Sequence, residues 1–273
     1  MIRLNENEFS SIVDFMRDNY GINLDKKKVL IECRLTKALE KYGARSFADF
    51  LNMMKRDKTG MIAGEMVNRL TTNYTYFMRE PAHFAVLKEQ ILPQMFARKH
   101  VSFYNIWCAG CSTGEESYTL SMLLQDFKDQ EEWMPNVRIL ATDISQEVLD
   151  TAKKGVYPIK EMESLPVAWQ KKYCRIIADK KFELDEKLKY HIRFRKQNLM
   201  DPVPEGDKFD LIFCRNVMIY FDKSSKEKLL RRFENCLKPG GYLFVGLAEL
   251  LSREETVLEP AFPAVYKKTV DKN

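Results

Sequence analysis

The stretch "NIWCAGCSTGEES", residues 105–117, decides how the chain is read. An apolar run from Asn105 to Ala109 breaks into small residues: Gly110, Cys111, Ser112, Thr113 and Gly114. Glu115 and Glu116 then open a helical pattern that reaches Phe127. Strand, glycine loop and helix in this order make a nucleotide-type site, because glycines let backbone amides approach a ligand. The acids narrow the choice. A helix N-terminus favours anions, and Glu115 would repel a pyrophosphate placed there. The loop therefore expects a ligand with cationic groups.

Working outward, the pattern from residue 101 alternates. Strand-like runs are Phe103–Ala109, Val137–Thr142, Ile192–Lys196, Phe209–Cys214 and Tyr242–Gly246. Helix-like runs are Glu115–Phe127, Gln146–Lys154 and Ser224–Leu237. Such alternation predicts a parallel sheet covered by helices. Pro239-Gly240-Gly241 predicts a turn before the last of these strands, and Ala264–Lys268 a closing antiparallel strand. Residues 157–196 interrupt the alternation with Pro158, Pro166 and many charges, and short strands are expected within 171–184 and 188–196. This region reads as a small inserted β-subdomain. Residues 1–80 read as an all-α N-terminal domain: Phe9, Ile12, Val13, Phe15 and Met16 recur at helical spacing behind a cap at Asn5, and further helical patterns cover 25–42, 46–56 and 61–70. Residues 81–100 read as a linker helix that starts at Pro81 and is broken at Pro93. The remainder, 101–273, is the α/β domain.

Bulk properties exclude several classes. The 273 residues are 45% hydrophobic and 30% charged, which suits globular domains. No apolar run is long enough for a membrane span, and the N-terminus lacks the apolar centre of a signal peptide, so a cytoplasmic, monomeric protein is expected. The six cysteines are scattered and expected to be reduced. Cys108 and Cys111 form a lone C-x-x-C that reads as small residues in a tight loop. A redox pair or half of a zinc site is the weaker alternative, and no metal is expected. The net charge of +5 does not demand nucleic acid. Residues 26–45 hold seven Lys and Arg against two Glu. Lys27, Arg34, Lys37 and Lys41 fall on one helical face, readable as a solvated surface or as a docking face for an acidic partner.

Ligands of open parallel sheets sit beyond the carboxyl ends of the strands. At those ends stand Gly110, Asp143, Asn198, and the pair Arg215 and Asn216. A carboxylate at Asp143 suits the hydroxyls of a ribose. S-adenosylmethionine fits this set better than a dinucleotide, since its ammonium and sulfonium suit Glu115.

Five stretches now carry a resemblance: "LTTNYTYFMRE" (70–80), "WCAGCSTGEESYTLSM" (107–122), "ATDIS" (141–145), "FCRNVMIYFD" (213–222) and "LKPGGYLFVG" (237–246). In order and spacing the chain resembles the CheR-type chemotaxis receptor methyltransferases over nearly its whole length. The resemblance implies a class I S-adenosylmethionine-dependent methyltransferase domain, Rossmann-like, with an inserted small β-subdomain and a preceding all-α domain. It implies methyl transfer from S-adenosyl-L-methionine, leaving S-adenosyl-L-homocysteine, to glutamate carboxylates on the cytoplasmic helices of chemoreceptors. It implies that Asn73, Thr75 and Arg79 reach over the cofactor, that Glu115, Asp143, Asn198, Leu199, Arg215 and Asn216 contact it from the sheet, and that Arg79 and Tyr220 lie nearest the methyl group. Lys27, Arg34, Lys37 and Lys41 would then dock the acidic receptor helix. Two departures stand out: Met78 replaces a commoner Phe, and "GLAELLS" replaces a small-polar-Ser-Glu pattern while keeping Glu249. In some members the β-subdomain grips a receptor tail through a glycine-bearing loop. No glycine lies between Gly155 and Gly206 here, so tail-independent binding is expected.

Two rival functions remain on the same residues. A nucleic-acid methyltransferase would want an amine-methylating N/D-P-P-Y/F motif where Cys214-Arg215-Asn216-Val217 stands. A non-catalytic cofactor-binding adaptor would not need Arg79 and Tyr220.

Overall fold

The computed structural model describes residues 2–97, 101, 103–130, 135–203 and 208–269. Helix α1 (Glu6–Tyr20) starts at a capping box in which Asn5 and Glu8 exchange backbone and side-chain hydrogen bonds, and stops at Gly21 with φ 70°. Glu8 also accepts from Ala48 N at 2.9 Å, so the cap fastens α1 to the start of the third helix. Helices α2 (Lys28–Tyr42), α3 (Phe47–Arg56) and α4 (Met61–Leu70) complete the helical unit. Its core is Ile12, Met16, Ile31, Leu35, Ala38, Leu39, Phe47, Phe50 and Met66, all fully buried. The linker helix runs as α5 (Pro81–Val86), a π turn over Leu87–Ile91, and α6 (Leu92–Phe96). Pro93 does not break it. A proline in the first turn of α6 needs no amide partner, and the π turn absorbs the changed register.

The α/β unit follows as β1 (Phe103–Ala109), α7 (Glu115–Gln130), β2 (Asn136–Asp143) and α8 (Gln146–Lys154). The insert contains β3 (Val156–Pro158), a 3-10 turn over Ile159–Ser164, α9 (Val167–Tyr173), β4 (Cys174–Ile177) and β5 (Lys181–Leu184). Then come β6 (Ile192–Lys196), β7 (Phe209–Cys214), a 3-10 turn over Met218–Tyr220, α10 (Lys223–Cys236), β8 (Leu237–Val245), β9 (Glu259–Phe262) and β10 (Val265–Lys267).

The large sheet has seven strands in the order β6-β2-β1-β7-β8-β10-β9, and the insert has its own sheet, β3-β5-β4. Strands β6, β2, β1, β7 and β8 are parallel, and β10 is antiparallel to β8 and β9. Central strand β7 is buried at every position, as expected for a strand covered on both faces. Phe213 and Phe244 stack at 4.2 Å across β7 and β8.

Four sequence expectations change. Strand β6 pairs with β2 in the large sheet, so the small sheet ends before Ile192 rather than at residue 196. Within 171–184 the chain is first helical, through Tyr173, and the 188–196 strand starts only at Ile192. The Pro239-Gly240-Gly241 turn is instead an irregularity inside β8: pairing jumps from Phe209–Leu237 to Leu211–Tyr242, with Gly240 at φ 78°. Strand β9 was not expected at all. Its four residues, Glu259 to Phe262, include Pro260 and are exposed or half-buried, so no alternation marks them.

Candidate cofactor and methyl-transfer site

One cleft lies where the helical unit, the linker 71–80 and the carboxyl edge of the large sheet meet. Four sheet loops reach it. After β1 the chain turns at Gly110 (φ 86°), where an added Cβ would meet Val217 Cγ2 at 2.5 Å. Only glycine fits that backbone and that distance. Gly110 N and Cys111 N both donate to Thr142 O at 2.9 Å, which locks the loop to the end of β2. Asp143 at that end accepts from Ser112 N and Ser145 N, each at 2.9 Å. Burial raises its carboxyl against these hydrogen bonds, which lower it. Each carboxylate oxygen keeps further acceptor capacity for a ligand hydroxyl. Residues Gln197–Leu199 follow β6, and Arg215–Tyr220 follow β7.

The structure brings Asn73, Thr75, Arg79, Gly110, Asp143, Asn198, Leu199, Arg215, Asn216 and Tyr220 onto this cleft. Glu115 is not among its lining residues and the expectation for it is corrected. It is buried, takes both of its short contacts from Thr113 Oγ1 (2.7 and 2.8 Å), and faces Glu161 of the insert. Burial pushes its carboxyl up to about 7, opposed by the Thr113 hydrogen bond. Adjacent helix positions point about 100° apart, so Glu116 takes the place expected of Glu115 and lines the cleft.

Glu116 belongs to an ion network that sequence spacing did not reveal. Arg215, with a side chain 2% exposed, donates to Glu116 Oε2 and Glu80 Oε2, each at 3.0 Å, and to Arg79 O. Its guanidinium lies 5.3 Å from the Phe84 ring centre. Burial raises the Glu116 carboxyl, with Arg215 opposing. Glu80 is held below the usual carboxylate range, because Arg215 and Asn216 outweigh its own burial. Next to this cluster the His83 imidazole is driven down to about 4 by burial and by Arg215, so it is neutral at pH 7. Met78 and Glu80, on either side of Arg79, adopt φ 57° and 54°. Arg79 donates to Tyr74 O at 2.8 Å and sits 5.8 Å from both the Tyr74 and Tyr76 ring centres. Tyr220 stands on the turn after β7, and its carbonyl accepts from Asn23 N at 2.8 Å. Asn198 lines the cleft, but its amide donates to Asn19 O at 2.7 Å, joining sheet to helical unit.

The docking face is also corrected in part. Lys27 and Lys37 are exposed, and Lys27 lines the cleft. Arg34 instead caps the end of α4, donating to Thr71 O at 2.9 Å and Arg69 O at 3.3 Å. Lys41 pairs with Glu65 at 2.6 Å. All six cysteines are free, and Cys108 and Cys111 are buried, with thiols raised well above their usual range by burial.

Whether this cleft fits S-adenosylmethionine is tested by two of its own features. Asn216 Oδ1 is buried and without a hydrogen-bond partner, an acceptor waiting for a donor. The Gly110 cradle has no room for even a methyl group. Acids at Asp143 and Glu116 complete a set suited to hydroxyls and cationic groups.

Comparison with known proteins agrees over almost the full length. The model of the CheR methyltransferase SAM-binding domain matches residues 73–266, and that of the CheR methyltransferase all-alpha domain matches residues 7–71. The chain belongs to the CheR methyltransferase family. A chemotaxis protein methyltransferase of Borreliella burgdorferi is 40% identical over 98% of this chain and 96% of its own length. The corresponding protein of Salmonella typhimurium is 34% identical over 99% of this chain and 93% of its own, and chemotaxis protein methyltransferase 1 of Pseudomonas aeruginosa is 34% identical over 87% and 88%. This CheR-family chain is therefore an S-adenosylmethionine-dependent methyltransferase of chemotaxis. Its α/β domain spans the match to the SAM-binding domain, and an all-α domain precedes it. Among the described residues no helix is long and apolar enough to cross a membrane.

Proposed function

We propose that this enzyme methylates glutamate side chains on the cytoplasmic helices of chemoreceptors, with Arg79 and Tyr220 acting at the transferred methyl group. The observation that carries the reading is the placement of Arg79 and Tyr220 on the same cleft as Asp143, Glu116 and the unpartnered Asn216 Oδ1. S-adenosylmethionine, held by these residues, would supply a sulfonium-bound methyl whose transfer to an anionic oxygen forms the ester C–O bond as the C–S bond breaks, with neutral S-adenosylhomocysteine as the leaving group. A glutamate, with a pKa of about 4.3, is already anionic at neutral pH, so the protein need not remove a proton. What the chain supplies is alignment, with reacting atoms about 3–3.5 Å apart. Arg79, half-buried on the cleft beside two tyrosine rings, attracts and turns the carboxylate. Its bond to Tyr74 O keeps it from pairing so tightly that the nucleophile is blunted. Tyr220 offers a softer donor. Asn73, Thr75, Asp143, Asn198, Leu199, Arg215 and Asn216 hold the cofactor, and Glu116 replaces Glu115 in that set.

Lys27 and Lys37 offer cations to a glutamate-rich helix. The hairpin between β4 and β5 turns at Asp179 and Lys180, both at positive φ, without the glycine that would mark a tail-gripping loop, which supports receptor binding that does not need the tail peptide. The protein acts as a cytoplasmic monomer. The test incubates the enzyme with radiolabelled cofactor and either receptor-bearing membranes or RNA, then adds base. Methyl esters release volatile methanol. Label retained on RNA, with none released from receptors, would refute the reading.

A further inference from the structure

Glu249 lines no part of the cleft, yet it ties one loop that does, the turn after β7, to the end of β8. The residue is buried, 4% exposed. Oε2 accepts from Asn216 N at 2.6 Å and from Gly246 N at 2.7 Å, and Oε1 accepts from Ile219 N at 3.0 Å. Asn216 precedes, and Ile219 lies within, the tight turn that ends at Tyr220. Gly246 closes β8. The geometry points to Glu249 as the positioning residue that sets Tyr220 for methyl transfer, an assignment that rests on the proposed role of Tyr220.

Three features make this a built device rather than a chance contact. The turn gains from an outside anchor: Asn216 sits at φ 58°, a left-handed conformation that Asn tolerates better than other non-glycine residues but that still carries a steric cost. The anchor has room made for it, since an added Cβ on Gly246 would meet Glu249 Oε2 at 2.7 Å and Asn216 Nδ2 at 2.6 Å. Its chemistry is specific as well. A carboxylate only accepts, so it can serve three N–H donors, whereas a glutamine amide would turn an N–H against one of them. The other face of the same turn is held by the helical unit through Asn23 N to Tyr220 O, 2.8 Å. Tyr220 is thus fixed between Glu249 on one side and the helical unit on the other, and neither contact uses its hydroxyl.

The test is a double-mutant cycle on kcat with receptor membranes, using Glu249→Gln, Tyr220→Phe and the pair, with S-adenosylhomocysteine affinity and the unfolding midpoint measured alongside. Each single variant should lose about tenfold or more in kcat. The pair should be within about threefold of Tyr220→Phe alone, because a mispositioned tyrosine has little left to lose; coupled sites are non-additive in this way. Penalties that multiply, or a Glu249→Gln enzyme at wild-type kcat, would overturn the proposal. Tyr220→Phe at wild-type rate would sink the reading of Tyr220 and this inference with it, so the two failures are distinguishable. Should Glu249→Gln not fold, Glu249→Asp, which keeps the charge and shortens the reach, takes its place in the cycle: non-additive losses support the proposal and multiplying ones overturn it.

Discussion

Loss of Arg215 should destabilise the molecule sharply. Arg215→Met keeps the stem over Phe84 but removes the guanidinium from between Glu80 and Glu116, both at 3.0 Å. Breaking a buried pair by deleting one partner costs about 3–5 kcal/mol, because the other charge is left uncompensated. Here two carboxylates are left, but their side chains are 14% and 15% exposed, and each can be neutralised by a proton. The expected loss at pH 8 is therefore about 3 kcal/mol, at the lower end. The sign with pH follows from proton counts. Without the cation both carboxyls titrate above their unfolded values, so the folded variant binds more protons than the unfolded chain between those two pKa values. The variant's stability is then highest at acid pH and falls as pH rises through the folded values. Urea unfolding followed by circular dichroism at pH 5 and pH 8 reads this directly. The deficit against wild type should grow from pH 5 to pH 8. A loss below about 1 kcal/mol at pH 8, or one that does not change with pH, would refute the network as described.

Other expectations follow from single contacts. Gly110→Ala should weaken S-adenosylhomocysteine binding by tenfold or more in calorimetry, and adding Val217→Ala should restore only part, since φ 86° remains. Glu115→Gln should stabilise the protein by about 1–2 kcal/mol at pH 8 and by nothing near pH 4: with its carboxyl raised to about 7 by burial, the wild-type group favours folding when protonated and loses that contribution as pH climbs through 7. An unchanged urea midpoint at both values would count against that burial. Lys37→Glu should raise KM for receptor membranes and leave cofactor affinity intact. Arg34→Ala should instead lower the unfolding free energy by about 1 kcal/mol, read as a lower urea midpoint, because it frees the Thr71 and Arg69 carbonyls.

Much of this molecule was legible in one dimension because its physics is local. Strands covered on both faces read as largely apolar runs, so β1 and β7 begin and end where sequence placed them. Helix α8 did too, between its Ser145 cap and Gly155. The glycine loop after β1 and the acid after β2 followed from the rule that such sheets bind at their carboxyl edge. The site's finer choices were not local. Glu115 and Glu116 are adjacent and chemically identical, and only the packing of the insert, with Tyr157 donating to Thr113 O at 2.8 Å, decides which one turns inward. Arg34 sits on the basic face beside Lys37, yet the end of α4 claims it. Glu80, Arg215 and Glu116 meet across separations of 99 and 135 residues, and Glu249 reaches Asn216 across 33. Sequence determined which elements form and which edge of the sheet binds; tertiary structure alone decided which carboxylates face a ligand, which pair with arginine and which hold a turn, because that choice depends on neighbours far along the chain.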